Sequence, residues 1–144
     1  MTLLRSILIG TALLSPLLAQ QQQFTAPTKP ANQEELDRIG TKFKELQTAV
    51  QKLRNQGVRA DSLSDVEIYA KAAEWIVRHG EFYNDKYAEW TVEGLERGRL
   101  RAQGLGTTEK ASWTDQTGRL SRGFLSRVDR SVQPYGLVIP AKYS

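Results

Sequence analysis

The chain has no cysteine among its 144 residues, which removes disulfide frameworks, thiolate nucleophiles and cysteine-bound metal. It has one histidine, His79, so a zinc site would need carboxylates for its other ligands, and the sequence offers no metal or cofactor chemistry. Charge of one sign is scarce. The formal net charge is +4, one unit of it from Arg5, which is too little to mark nucleic acid as a partner for an exported chain. Long apolar runs are lacking too. The one candidate, Ile7 to Leu18, is broken by Gly10 and Pro16 and falls short of the roughly 20 residues a bilayer-spanning helix needs. With 40% apolar residues the core is modest, and the length allows one domain or less.

What is present begins with Arg5, then the apolar run, then Leu17-Leu18-Ala19 ahead of four glutamines. A charged start, an apolar middle and a small residue at the end are the parts of a secretory signal peptide, here residues 1–19. The expected location is therefore secreted or periplasmic, with no stable membrane anchor after cleavage. Residues 20–31, a glutamine tract followed by TAPTKPA, read as a flexible tether with Phe24 as the one core-forming residue.

Residues 32–104 read as helices. Asn32 with Glu35 predicts a capping box, and Gly57 a stop. Between them Leu36, Ile39, Phe43, Leu46, Val50 and Leu53 recur at spacings of three and four, so one face must pack on another helix. Val58 to Leu63 then reads as a link. Ser64 with Glu67 predicts a second capping box and Gly80 a second stop, after Arg78 and His79, cations suited to a helix C-terminus. Val66, Tyr69, Ala72, Ala73 and Ile76 form its expected inward stripe, flanked by Trp75 and Val77. A third helix is expected from Asn84 or Asp85 to about Gln103. Its row Glu81, Asp85, Glu89, Glu93, Arg97, Arg101 follows the macrodipole and i,i+4 pairing. Gly94, Gly98 and Ala102 make a small-residue stripe, which implies close approach of a backbone or an aromatic ring. Trp90 and Tyr87 read as core aromatics.

Residues 105–144 read as loop and sheet. Gly104 to Gln116 is a Gly- and Thr-containing loop whose Trp113 should fold over the helices. Its GLG completes neither of the common phosphate-loop patterns. Arg119 to Val128 roughly alternates polar with apolar, Asp129, Arg130 and Ser131 are turn formers, and Val132 to Ile139 is β-branched and aromatic. That is a hairpin. Gly123 implies a bulge or a close backbone approach, and Pro134 and Pro140 confine the second strand to an edge or a strand end. The expected fold class is thus α+β: about three amphipathic helices packed together, then a C-terminal β-hairpin that looks like the start of a sheet.

Catalytic candidates are few. His79 is the first to consider as a general base, but no nucleophile accompanies it. The nearest text to a GxSxG elbow is Gly118-Arg119-Leu120-Ser121-Arg122-Gly123, one residue too long, and no histidine follows it. A catalytic triad is absent. The acids of the third helix with His79 are a weaker enzymatic alternative. From Arg97 onward, Arg97, Arg99, Arg101, Lys110, Arg119, Arg122, Arg127 and Arg130 outnumber Glu109, Asp115 and Asp129, which reads first as ordinary solvated arginines and otherwise as a surface for an acidic partner or a missing domain.

RGFLSRVDRSVQPYGLVIPAKY, with EWIVRHGEFY and GLERGRLRAQGL upstream, resembles the N-terminal region of secreted bacterial α/β-hydrolases of the esterase or prolyl-oligopeptidase-like type. The resemblance runs from about Thr28 to Tyr143, and SVQPYGLVIP is its most specific part. It implies a helical segment and the first strands of a β-sandwich-like module, ahead of a catalytic domain. It implies, further, a non-catalytic accessory module that docks within its own chain on a downstream hydrolase domain. One position departs. Arg130 stands where the family usually has glycine, and a side chain there argues against a φ > 0 turn. The alternative from a different class is a complete small periplasmic helical binding or scaffold protein.

Overall fold

The computed structural model describes residues 29–107 and 112–142. The expected signal peptide and the tether up to residue 28 lie outside them. Three helices, α1 (Gln33–Asn55), α2 (Ala60–His79) and α3 (Tyr87–Thr107), are followed by a short 3-10 turn at Ser112–Asp115. Two antiparallel strands, β1 (Gly118–Leu125) and β2 (Val132–Ile139), complete the described chain. The α+β class with a C-terminal hairpin is therefore what the chain adopts.

α1 starts as expected. Asn32 Oδ1 accepts from the Glu35 N–H at 2.9 Å and Glu35 Oε2 accepts from the Asn32 N–H at 2.8 Å. It ends at Gly57, whose φ of 81° suits a residue without Cβ. Ile39, Leu46, Val50 and Leu53 are buried, with Leu36 and Phe43 half-buried against them.

α2 begins one turn before the expected capping box. Arg59 is its N-cap, with no side-chain cap, and Ser64 lies inside the helix, its hydroxyl donating to the Ala60 carbonyl at 3.0 Å. Tertiary burial overrides the local signal: Leu63, Ser64 and Asp65 are all buried, and only a helix continued through them presents Leu63 to the core and Asp65 to the hairpin. Ala72, placed by its spacing in the inward stripe, is instead exposed. At the other end Gly80 adopts φ 63° and the Glu81 N–H closes back on the Ile76 carbonyl at 2.9 Å.

α3 packs against both other helices through Ala88, Thr91, Leu95, Gly98 and Ala102. Gly98 marks the closest approach. A Cβ built there would lie 2.8 Å from Leu46 Cδ2 and 3.0 Å from Tyr69 Cβ, so the small-residue stripe does seat an aromatic residue. Trp90 is not core. It falls one residue off that stripe and is 50% exposed, its ring tilted by 47° against that of half-buried Tyr87 with centroids 5.3 Å apart. The helix also continues to Thr107, past the expected end near Gln103.

The strands pair without a bulge, from Gly118 opposite Ile139 to Leu125 opposite Val132. Gly123 is a site of close approach instead: a Cβ there would stand 2.1 Å from the Ser64 carbonyl oxygen. The connecting loop closes with the Ser126 N–H on the Ser131 carbonyl at 2.8 Å, and Arg130 does take φ 60°, contrary to the expectation from its side chain. The loop hydrogen bonds hold it there, including Arg130 N–H to the Ser126 carbonyl at 3.1 Å. Lys71 Nζ ties the start of β2 to α2 by donating to the Val132 carbonyl at 2.6 Å.

Candidate functional site

The polar centre of the molecule is Asp65, 3% exposed in the second turn of α2. A buried carboxylate is costly unless its lone pairs are filled. Here they are. Arg122 Nε donates to both oxygens at 2.9 and 3.0 Å, Trp113 Nε1 donates to Oδ2 at 3.0 Å, and the Gly123 N–H donates to Oδ1 at 2.7 Å. The bond to Asp65 raises the Arg122 guanidinium above its ordinary pKa, against a smaller opposing effect of burial. Asp65 thus joins α2 to the 3-10 turn and to β1. Its oxygens are engaged by donors on every side, an arrangement that positions the hairpin.

Arg101 on α3 completes the junction from the other side. It donates to the Asp65 backbone carbonyl at 2.9 Å, and its guanidinium carbon lies 5.1 Å from the ring centroids of both Tyr69 and Trp113. The two rings hold the cation by their faces. Desolvation lowers its pKa from the ordinary value, although a guanidinium remains charged at neutral pH. A groove of about 340 Å³ opens over this junction, lined by Arg97, Arg101, Arg119, Trp113, Ser121 and neighbouring residues of α3 and β1.

The residues singled out for catalysis are not assembled. His79 is exposed at the end of α2, its ring 5.0 Å from Trp75, and among the described residues it has no ion pair with a carboxylate. Glu93 reaches Arg97 at 3.9 Å, an exposed i,i+4 pair as expected from the charge row. Arg101 leaves that row for Asp65. Ser121 is exposed on β1, opposite Gly136. No group of three histidine or acidic side chains suited to a metal ion occurs among the described residues, and none of their helices is long and apolar enough to cross a membrane. Sequence reasoning overlooked Asp65 and its pairing with Arg122. The only signals near them were Gly123 inside a strand and a tryptophan in a polar loop.

No family model, no curated protein and no solved structure matches this chain.

Proposed function

We propose that the chain is the non-catalytic accessory module of an exported α/β-hydrolase of the esterase or serine-peptidase-like type, and that its hairpin docks on the hydrolase domain. The supporting observation is the hairpin's open apolar face. Register places Leu120, Phe124, Tyr135, Leu137 and Ile139 on one side of the ribbon, together with Arg122 and Gln133. Phe124 is 49% exposed and meets Tyr135 edge-on, with ring centroids 6.0 Å apart. The core cluster and the half-buried residues packed on it contain no residue of either strand among those described. An apolar ribbon face left in water is unfavourable and calls for a cover. The same strands carry the words of the hydrolase resemblance, and residues 1–19 supply the export signal.

Reading the gene past the codon for Ser144 tests this. An in-frame continuation with a GxSxG serine, and titratable binding of the separate hydrolase domain to the chain that is lost in Phe124→Asp/Tyr135→Asp, is the expected result. A stop codon followed by no hydrolase, or binding indifferent to both substitutions, overturns it. The alternative, a self-sufficient periplasmic binding or scaffold protein, draws on the closed three-helix core, in which Leu46, Leu95 and Val66 are fully buried.

A further inference from the structure

The basic residues from Arg97 onward do different jobs. Arg99 pairs with Glu96 at 2.9 Å, and Arg122 neutralises Asp65. Arg97, Arg101 and Arg119 converge on the groove over the Asp65 junction, and among the described residues no acidic side chain lines it. Arg101 is the built part. Its partners are a neutral carbonyl and two ring faces, while the nearest carboxylate, that of Asp65, is already matched by Arg122. The hydrogen bond to Asp65 uses one of the five N–H donors of its guanidinium. Arg97 holds only the long, exposed contact to Glu93, and Arg119 forms no ion pair among the described residues. Three like charges brought to one concave site repel unless an anion joins them. Ser121 and Gln116 add neutral hydrogen-bonding groups to the same wall.

We infer that this groove is an oxyanion site, taking a carboxylate or phosphate group against Arg101 with Arg97 and Arg119 closing over it. The fork of a guanidinium matches two oxygens of either group, and the ring faces fix Arg101 before the ligand arrives. This goes beyond the accessory role, because Arg97, Arg101, Trp113 and Arg119 all belong to the described chain. The oxyanion comes either from a free small molecule or from an acidic side chain of the docked domain.

Nitrogen-15 spectra of the full chain separate these, because the Trp113 indole N–H reports on the site while Trp75 and Trp90 serve as internal controls. Sodium phosphate and succinate are titrated at ionic strength held constant with chloride. Saturable movement of the Trp113 signal alone, weakened about tenfold or more in Arg97→Ala/Arg119→Ala, is expected if the site binds oxyanions. Both substituted side chains are exposed, and an undisplaced Trp113 signal in the anion-free variant confirms an intact junction. If phosphate also competes with binding of the hydrolase domain, the natural oxyanion is an acidic side chain; if it does not, the ligand is a free anion. Drift shared by all three indoles, or saturation indifferent to the double substitution, overturns the site. Failure of the hydrolase domain to bind would leave the phosphate result standing and would count against the accessory role alone.

Discussion

The Gly123 N–H donates to the Asp65 carboxylate at 2.7 Å across 58 positions of sequence, and a Cβ on Gly123 would strike the Ser64 carbonyl oxygen at 2.1 Å. The same glycine supplies the donor and the space that let β1 lie against α2. The attachment of hairpin to helices follows from these adjacent residues, Ser64 and Asp65 on one side and Arg122 and Gly123 on the other.

Asp65→Ala removes the acceptor shared by Arg122, Trp113 and Gly123 and leaves a guanidinium partly buried without its partner. Because Arg122 keeps some access to water, the loss falls at the low end for a broken buried pair, about 3 kcal/mol. Urea unfolding measures it. Hydrogen exchange should show the amides of β1 losing protection before those of α1.

Gly123→Ala forces backbone against backbone, since the Ser64 carbonyl cannot rotate away inside a helix. The expected destabilisation is about 3 kcal/mol. Gly98→Ala meets the end of the Leu46 side chain and Tyr69 Cβ, and gains helix propensity in return, so its cost should be only about 1 kcal/mol. Denaturation midpoints of the two variants, measured side by side, check the order.

Arg130→Gly should stabilise the chain. Arg130 occupies the left-handed region at φ 60°, which costs an L side chain about 1 kcal/mol that glycine avoids in part, after its own entropy loss. Arg130→Ala should give no gain. The two midpoints separate backbone strain from any effect of removing the charge.

Asp129 in the hairpin loop is held at a pKa of about 2 against 3.8 ordinarily, first by the Ser126 hydroxyl and then by the Ser131 N–H and hydroxyl. A depressed carboxyl stabilises the folded loop fully above pH 3.8, and that contribution fades as pH falls through about 2. Carbon-detected titration of the Asp129 carboxyl should find the low midpoint, and Ser131→Ala should move it upward.

Much of the helical part was legible because its signals are local. The α1 stripe and the Asn32 capping box need only a spacing of three or four residues to be read, and both stand. The start of α2 was not legible, because the Ser64 and Glu67 pattern mimics a cap while burial of Leu63 and Asp65 decides the outcome. Trp90 misled for a related reason: its size suggested the core, but Thr91, Leu95 and Gly98 set which side of α3 turns inward. The candidate site was the least legible. Asp65 and Arg122 are 57 residues apart and carry no periodic mark, so only the oddities at Trp113 and Gly123 pointed to where they meet.

One consequence of the Gly123 and Pro134 pairing concerns how this ribbon can grow. The Gly123 amide turns away from β2 toward Asp65, so at this rung both strands direct their main-chain groups outward. On the β1 side that margin is capped by α2, and on the β2 side Pro134 has no hydrogen to offer. A third strand annealing to either margin would meet an obstacle at mid-length, which guards against templated stacking of one molecule on another. Recruitment of a neighbour is thereby directed to the broad flank bearing Phe124 and Tyr135.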